Sequence, residues 1–307
     1  MANYDYNPKY GLENYSFVLP FEENFDSEKS TLWLARNWVH SITWSVAYLA
    51  VIFGGRKLME NRKPFGLDGP LVFWNAGLAI FSILGFLRMT PEWVWSVFGE
   101  GNSLKYSICT ASFAQGVSGF WTEAFAMSKV AELVDTVFIV LRKKPLIFLH
   151  YYHHVTVLIY TWHAYKDHTA SGRWFIYMNY CVHAVMYSYY AFRAMRFRTP
   201  KWTSMLITVM QIAQMVAGVG IGISVWNIKS SGGECQQTWE NLQLNLTIRY
   251  DRVRAAEPKV ATVIEDKKEV DENRNETNGS VHKSNGSAMN DSIANGVTTR
   301  RRAARAD

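Results

Sequence analysis

Apolar residues gather along this chain into six stretches, Trp38–Gly55, Pro70–Leu87, Trp121–Leu141, Pro145–Ala164, Trp174–Phe192 and Trp202–Trp226. Each approaches the roughly 20 residues that a helix rising ~1.5 Å per residue needs to cross a bilayer. Pro145 suits a first helical position, where its missing N–H would have no partner in any case. Tryptophans recur near the ends of the stretches (Trp38, Trp121, Trp162, Trp174, Trp202 and Trp226), as an interfacial aromatic belt requires. The pattern predicts an all-α, polytopic membrane protein with six spanning helices. After Trp226 no window is apolar enough to span. The predicted organisation is therefore an N-terminal segment 1–37, a transmembrane body 38–226, an ordered loop 227–246 and a polar tail 247–307, whose low hydrophobicity predicts disorder. There is no internal repeat.

Charge adds an orientation. Arg56, Lys57, Arg62, Lys63, Arg142, Lys143, Lys144, Arg193, Arg196, Arg198 and Lys201 lie in the loops on one side. The opposite loops hold only Lys105, Lys166 and Arg173. The positive-inside rule then puts the N-terminus on the lumenal or exterior side. The formal net charge of +6 is scattered in short clusters beside apolar stretches, with no zinc-finger, RNA-binding or helix-turn-helix pattern, so nucleic acid is not an expected partner. The polar, acidic start of the chain does not read as a cleavable signal peptide. Three cysteines are too few for a disulfide scaffold and lack metal-type spacing.

The spans are not uniformly apolar, and ionisable groups in a membrane are costly enough to be functional candidates by default. The third carries Lys129, Glu132, Asp135 and Thr136; the fourth His150, His153 and His154; the fifth Asn179, His183, Met186, Tyr187 and Tyr190; the sixth Thr208, Gln211 and Gln214. Spacings of three and four put His150 on one helical face with both of its neighbours. Counted from the basic loops at ~1.5 Å per residue, His150 to His154, His183, Glu132 and Gln211 share a layer roughly 9–15 Å deep. A polar network that only holds helices together is one reading, and for Gln211, Gln214 and Asn179 alone it is an even alternative. For His40, His163, His168 and His282 a structural or solvated role is expected.

Two chemistries compete for the histidine layer. A membrane di-iron oxygenase uses an H-x-x-H-H box, but needs it repeated, and the chain has only eight histidines. The alternative uses imidazole as nucleophile and base on a thioester, with the apolar bundle holding an acyl chain and the basic loops a nucleotide phosphate. A non-enzymatic carrier or channel is the third class.

The runs K-V-A-E-L-V-D-T (Lys129–Thr136), H-Y-Y-H-H (His150–His154), M-N-Y-C-V-H-A-V-M-Y-S-Y-Y (Met178–Tyr190) and T-V-M-Q-I-A-Q (Thr208–Gln214) resemble, in order, the four signature boxes of the very-long-chain fatty acid elongases. Phe53–Met59 and Leu146–Leu158 look closest to the branch that extends saturated and monounsaturated sixteen-carbon acyl-CoA. The resemblance covers about Glu22 to Leu246. It implies a multi-pass protein of the endoplasmic reticulum membrane that acts as a 3-oxoacyl-CoA synthase, an acyltransferase, with helices wrapped around an acyl-CoA tunnel. Long-chain acyl-CoA and malonyl-CoA would be substrates, with membrane lipid around the bundle. The resemblance also implies the reductases and dehydratase of the elongation cycle as partners. No metal and no other cofactor is implied.

By the same resemblance His153 carries the acyl group, His150 and His183 flank the reacting carbons, and His154 completes the catalytic set. Lys129, Glu132, Asp135, Asn179, Tyr187, Tyr190, Gln211 and Gln214 bind substrate or support the site. Cysteines in matching loops imply a lumenal Cys109–Cys235 disulfide, with Cys181 left as a buried thiol. The family has seven helices, and the absence here of a seventh apolar window predicts an open tunnel and reduced activity, as in a splice or gene-model variant. It also puts the N-x-S/T sequons at Asn245, Asn275, Asn278, Asn285 and Asn290 on the same side as Asn14, so glycans are expected at these sequons as well as at Asn14, which is lumenal under either topology.

Overall fold

The computed structural model describes residues 15–248, all helix and connecting turns. Asn14, the sequons from Asn275 onward and the tail from residue 249 lie outside the described residues. A short turn of helix, α1 (Pro20–Glu23), precedes α2 (Ser27–Asn37), α3 (His40–Met59), α4 (Asp68–Phe98), α5 (Leu104–Cys109), α6 (Gly116–Ala131) and α7 (Val134–Leu141). Then come α8 (Phe148–Lys166), α9 (Gly172–Ala194), α10 (Lys201–Ser230) and α11, residues 239–248. All six predicted stretches are helical, the third as the broken pair α6–α7.

Among the described residues α4 and α10 alone are long and apolar enough to cross a membrane by themselves; α2 and α3, bent by 59° at their junction, qualify together as a third span. Of the others, α8 and α9 are long enough but carry the polar layer, and the rest are too short on their own. Large apolar side chains stand exposed on the outer faces, among them Val46 and Val51 on α3, Phe73 and Ile80 on α4, and Val209 and Val216 on α10. Such faces are stable against lipid tails and not against water.

Several boundaries differ from the sequence reading, each for a physical reason. Segment 1–37 includes a helix that belongs to the bundle, because Asp26 caps α2 by accepting from Lys29 N and Leu34 is fully buried in the core with Leu158 and Trp162 of α8. The second span does not stop at Leu87. It continues through Pro91 to Phe98, since Arg88, which reads as a membrane edge, is neutralised by Glu22 at 2.5 Å. The fourth span begins at Phe148, and Ile147 is extended, so Pro145 precedes the helix instead of opening it. Of residues 227–246 only 231–238 form a loop. Asn227–Ser230 finish α10, and α11 folds back so that fully buried Leu242 packs with Val225 and Ile221 of α10.

Two cores flank the polar layer. One joins α3, α6, α7 and α8 around Tyr48, Ile52, Ala126, Leu133 and Leu158. The other joins α4, α6 and α9 around Met89, Trp121, Phe125 and Tyr180. Contact between α4 and α9 is the most extensive in the bundle, and Gly85 permits it. A Cβ at that position would collide with the Tyr180 ring, whose hydroxyl donates to Trp121 O at 2.8 Å.

The basic loops meet at one end, where Asp68 accepts from Arg142 at 3.2 Å and from Arg196 at 2.9 Å. At the other end Cys109 and Cys235 are disulfide-bonded, and Gln236 extends the junction by donating from its backbone N to Cys109 O at 2.8 Å. Cys181 on α9 is a half-buried free thiol. Asn245 is 2 % exposed, lies within α11 and donates to Tyr160 OH at 2.8 Å. A buried, helical, hydrogen-bonded amide is no glycan acceptor, which corrects the expectation for that sequon. Asn245→Gln is expected to leave the endoglycosidase-sensitive mobility shift of the expressed chain unchanged; loss of a shift step would show that the sequon is used.

Candidate active site

The break between α6 and α7 sits inside the bundle, with Glu132 and Leu133 in a turn. Irregular backbone at membrane depth is tolerated only where protein or a cavity surrounds it, and both residues are buried. Lys129 and Glu132 pair across one turn at 2.6 Å, with side chains 3 % and 5 % exposed. The ammonium also donates to Asn179 Oδ1 at 3.0 Å and lies 4.0 Å from the Phe125 ring centroid. Ser128 donates to Glu132 Oε1 at 3.1 Å. Asn179 Nδ2 in turn lies 3.1 Å from His183 Nε2, and His183 Nδ1 is 3.8 Å from Glu132 Oε1. Lys129, Glu132, Asn179 and His183 thus form one closed ring of contacts between the α6 end and α9. Isolated buried charges are unaffordable in such a layer, whereas paired and hydrogen-bonded ones are tolerated.

Histidines of α8 lie beside this ring. The His150 and His154 rings are 4.6 Å apart edge to face, and those of His153 and His154 are 5.7 Å apart. His154 is buried, while His150 and His153 are half-buried. Asp135 accepts from Trp74 Nε1 at 2.5 Å and from Tyr187 OH at 2.6 Å, so α4, α7 and α9 are clamped by one carboxylate. Among the described residues no group of three His, Cys, Asp or Glu side chains is arranged to hold a metal ion.

The α10 residues are less engaged. Gln211 donates to Met186 Sδ at 3.3 Å and so joins α9, but it does not reach the Lys129–Glu132 ring. Gln214 makes no hydrogen bond among the described residues. Tyr190 is 42 % exposed and stands at the edge of the site, its ring 6.4 Å from that of Tyr187. His163 and His168 are buried in local bonds, His163 to Asn241 at 2.7 Å and His168 to Thr31 at 2.5 Å. Burial pushes the His168 pKa down to about 4, against the pull of Asp167, so that imidazole is neutral. His40 is exposed.

Three buried clusters escaped the sequence reading. Glu22 accepts from Arg88, Leu19 N and Trp121 Nε1; burial opposes its ionisation, but these donors hold its carboxyl below the usual range. Arg173, counted from sequence as a loop charge, is fully buried against Glu92 at 2.8 Å. Tyr48 reaches Thr136. Each joins residues more than 60 positions apart, and no local spacing announces such a pair.

Fold and site together define a membrane-embedded helical bundle whose histidine box, ion pair and carboxylate clamp share one buried polar layer. Residues 33–250 match the family described as ELO: GNS1/SUR4 family, and the chain belongs to it. It is 70 % identical over 244 residues to "Putative fatty acid elongase 3" of Caenorhabditis elegans, covering 80 % of this chain and 76 % of that one. It is 47 % identical to Very long chain fatty acid elongase 6 of Drosophila melanogaster over 76 % of this chain and 75 % of that one. With the human protein of the same name the identity is 50 %, over 67 % and 77 %.

Proposed function

We propose that this chain is the condensing enzyme of microsomal fatty acid elongation, a 3-oxoacyl-CoA synthase joining long-chain acyl-CoA to malonyl-CoA. The observation that carries the reading is the gathering of the histidine box, His183 and the Lys129–Glu132 pair into one layer walled by apolar helices. In the first half-reaction an imidazole nitrogen of His153 attacks the thioester carbon. The C–S bond breaks, and the proton of the other ring nitrogen leaves with the thiolate as free CoA. In the second, the malonyl carboxylate departs as CO2 and its electron pair forms the new C–C bond at the acyl carbon. The acyl–imidazole bond breaks, and the departing His153 imidazolate takes up one proton from solvent, the proton that the overall reaction consumes. Decarboxylation itself supplies the carbanion, so the reading needs neither metal nor redox cofactor. His150, His154 and His183 flank the reacting carbons.

The bundle sits in the endoplasmic reticulum membrane with its N-terminus lumenal. The convergence of Arg142 and Arg196 on Asp68 supports a cytosolic end that receives both CoA esters, and the reductases and dehydratase of the cycle would take the product there. Microsomes expressing the chain, given sixteen-carbon acyl-CoA and labelled malonyl-CoA, are expected to form labelled 3-oxoacyl-CoA. Its absence, with expression verified, defeats the assignment.

A further inference from the structure

Tyr48 on α3 and Thr136 on α7 form a relay to the histidine box. The Tyr48 hydroxyl is 2.7 Å from Thr136 Oγ1, and Thr136 Oγ1 is 2.9 Å from His150 Nε2. Tyr48 is 5 % exposed and Thr136 0 %, so bulk water does not complete their bonds. Thr90, Thr122 and Thr156 turn their hydroxyls back onto the carbonyl four residues earlier, at Phe86, Ser118 and Tyr152. That is the ordinary helical habit. Thr136 stands just past the α6–α7 break and points its hydroxyl sideways, between Tyr48 and His150.

The proton count fixes the direction. Tyr48 and Thr136 have one proton each, and His150 Nε2 either carries a proton or accepts one. If Nε2 were protonated, the bonds would run from His150 to Thr136 to Tyr48. The buried Tyr48 proton would then have no acceptor among the described residues, a costly arrangement. In the reverse direction Tyr48 donates to Thr136, Thr136 donates to Nε2, and both hydroxyl donors are satisfied. The bond at one ring nitrogen sets the state of the other.

We infer that Tyr48 and Thr136 are positioning residues that hold His150 as its Nδ1–H tautomer with Nε2 filled. His150 then cannot offer Nε2 as base or nucleophile and serves the reaction as an N–H donor, which leaves the attacking role to another histidine of the box. This assignment rests on the proposed condensation chemistry.

Steady-state condensation by the full chain, purified in detergent, tests it with Thr136→Val, Thr136→Ser and Tyr48→Phe. Thr136→Val keeps the shape but not the hydroxyl, and kcat is expected to fall roughly 10–100-fold with the acyl-CoA KM within about threefold. Thr136→Ser restores the hydroxyl and is expected within about threefold of wild-type kcat, while Tyr48→Phe, which frees the direction of the relay, falls about three- to tenfold. Wild-type kcat in Thr136→Val, or Thr136→Ser as slow as Thr136→Val, overturns the relay, as does a rise in KM alone. Should Thr136→Val fail to elute as a single species, Tyr48→Phe decides, and unchanged kcat there overturns the inference. CoA release by wild type from acyl-CoA alone is the separate control. Its absence removes the acyl-imidazole chemistry, while the kcat pattern still judges the relay.

Discussion

His153→Ala is expected to lose the covalent acyl adduct and, with it, condensation by more than about 10³-fold, the scale on which removal of a nucleophile or base acts. His153 is half-buried beside His154, and the attacking group must remain reachable by a thioester. The adduct is read by mass spectrometry after incubation with acyl-CoA alone, so the measurement is independent of malonyl-CoA binding. His40→Ala is the matching control, because His40 is exposed; His168 is a poorer one, since it is buried against Thr31. An adduct that persists in His153→Ala moves the nucleophile elsewhere. With Nε2 of His150 engaged by Thr136, the remaining candidates would be His154 and His183.

The second large effect concerns stability. Arg173→Met is expected to cost about 3–5 kcal/mol, because it strands a buried carboxylate. Arg173 donates to both oxygens of Glu92, at 2.9 and 2.8 Å, and also to Ser112 Oγ and Ser107 O. Ser107 and Ser112 stand on either side of Cys109, so this guanidinium holds the disulfide-bearing turn to the end of α4. Thermal denaturation followed by size-exclusion in detergent reports the loss. The double variant Arg173→Met with Glu92→Met removes both charges and is expected to recover at least half of it. A single variant as stable as wild type, or a double variant worse than the single, would show that the pair is not the stabilising element.

How much of this was legible in the sequence follows from what local spacing can encode. Apolar runs located all six long helices, and spacings of three and four put Lys129, Glu132 and the histidines together, because those contacts lie within a helix turn. Depth counted from the basic loops put His183 and Glu132 in one layer, where their side chains lie 3.8 Å apart. The same count put Gln211 there, but equal depth does not fix the rotation of α10 about its axis, and Gln211 reaches Met186 and not the ring. The break at Glu132–Leu133 left no Gly or Pro as a mark. The α2 helix was missed since its charged sequence earns its place only by tertiary contact, through Leu34 and the Ser30–Tyr165 bond of 2.7 Å. The short α11 reads as polar loop for a related reason. Its Asn241 and Asn245 are buried only because Asp167, His163 and Tyr160 supply partners.

Breaking one span into α6 and α7 also divides one backbone dipole into two. The carboxyl end of α6, with its partial negative charge, and the amino end of α7, with its partial positive charge, then both fall at the level of the histidines. Lys129 occupies the last turn of α6 and Asp135 the first turn of α7, each beside the dipole end that favours its sign. The polypeptide itself therefore supplies an oriented field where lipid offers none. Glu132, the C-cap of α6, is the one charge of the three set against its nearest dipole end. Its carboxylate therefore depends on the Lys129 ammonium at 2.6 Å, and the pair reads as a cation answering two negative ends at once.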